Sequence, residues 1–135
     1  MFQQDYLMRL IMQFVRGLRR SLEREHVDPA EAAESVEDAI SQALDLDAGM
    51  VLGLSPESFA SVLSVTGTHP QVVEYLVHGL LLEAHYLDQA NTGQKAELRR
   101  GQAQALAQAF GIECPEGDGV LTEEDLDRME RELEA

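Results

Sequence analysis

The histidines and the single cysteine are the side chains of this 135-residue chain whose types suit metal or nucleophilic chemistry. On the segment PQVVEYLVHGLLLEAHYLDQA, Glu74, His78 and His85 fall on one helical stripe. The two histidines are seven residues apart, about 10.5 Å along a helix axis, too far to share one ion directly. Glu74 and His78, spaced i,i+4, make an ordinary helix pair. Glu23-Arg24-Glu25-His26 spells a Glu-x-x-His, but a two-metal carboxylate bundle needs that motif twice, deep inside long helices. Cys114 has no histidine near it in sequence, and Glu113 and Glu116 beside it work against a thiolate. No glycine-rich phosphate loop and no serine elbow occurs. The expectation is a protein with no catalytic residue and no cofactor, and not an enzyme.

The loop CPEGDGVLTEED carries the one spacing that suggests an ion. Counted from Cys114 as the first position, Glu116, Asp118, Thr122 and Asp125 fall where a calcium-binding EF-hand loop places ligands, with Gly119 at its glycine. A cysteine stands where the first carboxylate belongs, and Asp125 replaces the longer bidentate glutamate. The competing reading uses every residue: Gly117-Asp118-Gly119 turns, Thr122 caps a helix and Asp125 completes its first turn. That reading is preferred, and a weak calcium sensor is the alternative.

The formal charge of −15 excludes a nucleic-acid backbone as the partner of the whole surface. Its distribution is uneven. Arg9, Arg16, Arg19, Arg20 and Arg24 face only Asp5 and Glu23 in the first 24 residues, whereas the rest is strongly acidic. A basic segment ahead of an acidic body implies attraction within one chain or between two. One cysteine cannot form an internal disulfide, which suits a reducing compartment. No stretch reaches the ~20 apolar residues of a membrane span, and Arg9 interrupts the apolar run at the start. A cytoplasmic location is expected.

The elements that must position these residues are helices. Trp is absent, aromatics are sparse, and Ala, Leu, Glu and Gln abound. Between Val72 and Leu87 the apolar residues surround the helix, so neighbours must cover most of it; it is the expected centre of the fold. Ahead of it the spacing predicts a basic amphipathic helix over residues 5–24, an acidic helix from Asp28-Pro29 to about Asp47, and a shorter one from Ser55-Pro56 with Phe59, Val62 and Leu63 inward. After Asn91-Thr92-Gly93 a helix of small residues runs to Phe110, and a last acidic helix from Thr122 points Leu126, Met129 and Leu133 one way. Small residues let helices approach closely, so the helix at 94–110 is expected to form a tight hairpin with the central one, meeting Gly79. The result is an all-α helical bundle of about six helices in one domain: a basic helix (1–26), a helical core (27–112), and a loop with an acidic helix (113–135).

The opening FQQDYLMRLIMQF, the segment LGLSPESFASVL and the closing hairpin together resemble a family of small bacterial helical proteins of unknown function. Members share a Q-D-Y-x-x-R helix and a hairpin similar to the tetratricopeptide type. The resemblance implies a fold and no activity. The function expected is therefore a non-catalytic protein-protein interaction or assembly module that self-associates. Leu7, Met8, Ile11, Met12, Phe14, Val15, Leu18 and Leu22 form a face wider than one neighbouring helix covers, and surplus apolar surface marks an interface. A homodimer through residues 5–24 is expected, with a peripheral lipid binder as the other reading of the same helix.

Overall fold

A computed structural model describes residues 2–115 and 120–134. Among these the chain is all helical: α1 (Phe2–Glu25), α2 (Pro29–Leu44), α3 (Ala48–Val51), α4 (Pro56–Val65), α5 (Pro70–Gln89), α6 (Gly93–Ala109) and α7 (Glu123–Glu134). The extra element relative to the sequence reading is α3, a single turn within what reads as a loop. It arises because α2 stops at Leu44, where Asp45 enters the left-handed region at φ 54°. Asp47 then accepts from the Gly49 amide and starts a new turn.

Three helices begin in the same way, with a capping side chain followed by proline. Asp28 accepts from the Ala30 amide (2.9 Å), Ser55 from Ser58 (3.3 Å), and His69 Nδ1 from Gln71 (3.1 Å). Proline loses nothing there, because the first-turn N–H has no partner inside the helix. The cap at His69 is unusual, since histidine is an uncommon residue for that role.

The central helix is α5. Val73, Leu76, Val77, Leu80, Leu82 and Tyr86 lie on different sides of it and are all buried. Three helices cover it: α6 as the returning arm of a hairpin, α2, and α1. The short helix α4, whose Phe59, Val62 and Leu63 are expected to point inward, is not among them. It packs on α6, and the glycines show why. A Cβ on Gly101 of α6 would sit 3.0 Å from the Pro56 ring of α4, so the small face of α6 points there as well as toward α5.

Gly79 likewise faces a different neighbour from the one expected. A Cβ on it would lie 2.6 Å from Phe14 Cζ, so its bare backbone receives α1, not α6. Gly79→Ala is expected to cost about 1–3 kcal/mol by overpacking, read as a lower urea midpoint. Phe14→Leu in the same chain should return part of the loss. If Gly79→Ala alone is neutral, the α1–α5 approach is looser than described.

Much of the broad apolar face of α1 is used within the single chain. Ile11, Phe14, Val15 and Leu18 are buried, while Leu7, Met8, Met12 and Leu22 are partly buried against the same core. Three neighbours account for this: α2 along its length, α5, and α7. Leu126, Met129 and Leu133 join the common core, and Arg19 reaches Asp127 (2.7 Å) and Glu130 (3.3 Å). The attraction between basic helix and acidic body is thus met in part inside one chain.

Candidate functional site

A connected polar cluster runs from the interior of the bundle to its surface. Arg99 of α6 is 3% exposed, and Glu83 of α5 and Gln102 of α6 are fully buried. Arg99 Nε donates to Glu83 Oε2 (2.9 Å), Nη1 to the Leu52 carbonyl (2.8 Å) and to Gln102 Oε1 (3.2 Å), and Nη2 to Glu37 Oε2 (3.3 Å). Gln102 Nε2 donates to the carbonyls of Leu52 and Leu54, both at 2.9 Å. Lys95 closes the outer side on Glu37 Oε2 (3.3 Å). The two side chains of α6 thereby hold α2, α5 and the connection before α4, whose carbonyls would otherwise be buried without donors.

The two acids are shifted in opposite directions. Burial pushes the Glu83 carboxyl well above its ordinary range, and its hydrogen bond with Glu37 adds to this against the pull of Arg99. Burial would raise Glu37 too, but the hydrogen bond from Glu83 and the charges of Lys95 and Arg99 outweigh it and hold Glu37 low. As a carboxylate, Glu83 would leave Oε1 buried without a partner. A proton on Glu83 would remove the cost of a buried charge and give Oε1 a hydrogen to share. Water does not reach this acid, so the cluster serves to fasten helices. The only trace of it in the sequence is Glu83 set directly after the apolar run Leu80-Leu81-Leu82, with Arg99 and Gln102 at i,i+3 among small residues.

The side chains singled out for chemistry are scattered. His85 Nε2 lies 3.3 Å from Oε2 of Glu25, the residue next to His26 within the Glu-x-x-His spelling. His78 is held low by burial, against the nearby charges of Glu74 and Asp125. His69 caps α5. Burial raises the Cys114 thiol, which makes it a poor nucleophile. Among the described residues no three metal-binding side chains come together. Of the calcium candidates, Glu116 and Asp118 lie outside the described residues. Thr122 and Asp125 bind each other: the Asp125 amide donates to Thr122 Oγ1 (3.1 Å), and the Thr122 amide and hydroxyl both donate to Asp125 Oδ2 (2.9 and 3.0 Å). This is a capping box, and Arg128 occupies Oδ1 (3.1 Å).

Two outward features have no such internal use. The first is a groove of about 680 Å³ at one end of the bundle, between the start of α1, the end of α2 and the α4–α5 turn. Leu7, Leu10, Leu44, Leu46 and Val72 line it, Thr66, Thr68 and His69 rim it, and Tyr6 borders it at 62% exposure. The second is the solvent side of the α1–α2 hairpin. Arg9, Arg16 and Arg20 of α1 are exposed and make no ion pair among the described residues, nor do Glu31, Glu34 and Asp38 of α2. No described helix is long and apolar enough to cross a membrane. Compared with family models, curated proteins and solved structures, the chain matches none.

Proposed function

We propose that this chain is a non-catalytic protein-protein interaction module, and that it engages its partner through the groove at the end of the bundle. The observation that carries the reading is the groove itself, a concave apolar surface bordered by a largely exposed tyrosine. Tyrosine suits a contact anchor, because it brings a large rigid ring and a polar tip at little conformational cost. The buried polar cluster supports the same reading: its hydrogen bonds join α6 to α2, α5 and the connection before α4, and so serve to fasten the fold.

A photo-reactive phenylalanine analogue in place of Tyr6, introduced in the native cell, tests this directly. The expected result is a discrete protein adduct at position 6, absent when the analogue replaces exposed Glu57 of α4. Loss of that adduct on Leu46→Glu would tie it to the groove. Equal labelling at both positions, or no protein adduct at either, would remove the groove as a docking site.

A further inference from the structure

The α1–α2 face indicates which partner fits, an inference that rests on the docking role of the adjoining groove. Along α1 the outward side chains Arg9, Arg16 and Arg20 form a basic stripe about 16 Å long at 1.5 Å per residue. Along α2 the outward side chains Glu31, Glu34 and Asp38 form an acidic stripe, continued by exposed Asp45. The two helices are joined by a tight turn and pack along their length, with Gly17 set against Ala39. Packed helices lie roughly 8–10 Å apart, so the stripes run side by side on one surface with opposite sign.

A uniformly anionic partner fits this surface badly. Whatever α1 attracts, α2 repels from a distance close to the screening length of about 8 Å at physiological salt. That argues against both a lipid headgroup layer and a phosphate backbone. The surface instead calls for a partner with an acidic stripe beside a basic one, in the reverse order.

A second copy of this chain is such a partner. We infer that two copies associate through their α1–α2 faces about a two-fold axis parallel to these helices. That operation places each α1 over the other chain's α2, arginines on carboxylates, and repeats the contact by symmetry, as an isologous interface requires. The perpendicular two-fold in the same plane would stack α1 on α1, like charge on like. The parallel axis also preserves helix direction. The start of each α1, with Tyr6, then lies over the end of the partner's α2, where Leu44 and Leu46 line the groove. Charge sets the register and the tyrosines supply the apolar anchors. The arrangement revises the expected dimer: α1 remains central, but its solvent side makes the contact, because its apolar side is largely buried in its own chain.

Sedimentation of the full chain at tens of micromolar tests the arrangement, with two doubly reversed variants, Arg16→Glu/Arg20→Glu and Glu34→Arg/Asp38→Arg. All four positions are exposed, and melting curves establish that each variant is folded. The wild type is expected to dimerise in low salt and weaken in high salt. Each variant alone should lose at least about tenfold in affinity, because like charges then face each other. An equimolar mixture of the two should pair again, since each reversed stripe then meets its complement. A monomeric wild type in low salt would overturn the inference, as would a dimer that survives both reversals or variants that fail to pair when mixed. If the wild type is monomeric while position 6 still yields an adduct with another protein, the self-pairing fails and the docking role stands. If neither is seen, both fail.

Discussion

Glu83→Ala is expected to cost about 3 kcal/mol of unfolding free energy, because it leaves the Nε–H of the buried Arg99 guanidinium without its acceptor. Glu83→Gln should behave quite differently. The amide oxygen still accepts from Arg99, the amide nitrogen still donates toward Glu37, and no proton has to be retained. Urea unfolding of the three proteins at several pH values separates these roles. In the wild type the Glu83 carboxyl is raised above its ordinary value of 4.5 by burial. Folding therefore binds a proton there, and stability falls as pH rises from that value toward the folded pKa. Glu37 works in the other direction: its folded pKa is lowered, so its contribution is present above 4.5 and is lost as pH falls. Glu83→Gln should remove the first dependence and leave the variant at least as stable as wild type on the alkaline side. A loss in Glu83→Gln as large as in Glu83→Ala would mean that a charged Glu83 holds Arg99, and the proton on Glu83 would be wrong.

Leu80→Ala is expected to cost about 2–5 kcal/mol, the range for emptying a closed leucine site. Leu80 is fully buried in the middle of α5, where α1, α2 and α6 converge. Val65→Ala provides the contrast. Val65 is 87% exposed at the end of α4, and its loss should stay within about 0.5 kcal/mol. Paired denaturant curves decide the matter. A Leu80→Ala loss near that of Val65→Ala would mean that α5 is a binding face and not the centre of the fold. One consequence concerns the N-terminal helix. Ile11 is 1% exposed, so Ile11→Asp would unfold the chain before it reported on any interface. The exposed arginines are the correct place to test association.

The sequence by itself determined what depends on neighbours along the chain. Helical spacing placed the six longer helices, and the proline-cap pairs at Asp28 and Ser55 marked two of their starts. The capping box at Thr122 and Asp125 was legible for the same reason, since its partners stand three residues apart. The all-round apolar character of α5 announced its central position. What only the tertiary structure decided depends on residues far apart in the chain. Gly79 reads equally well as a contact for any helix, and only packing assigned it to Phe14, 65 positions away. Arg99 and Glu83 have no partner near them in the chain; only the closing of the α5–α6 hairpin joins them and brings Glu37 and the Leu52 carbonyl to Arg99. The apolar width of α1 was visible, but the helix that helps to cover it comes from the other end of the chain. A one-dimensional pattern gives a helix its sides; it carries no information on which distant helix each side will meet. That is settled by fitting volumes together and by pairing the polar groups that burial would otherwise leave alone.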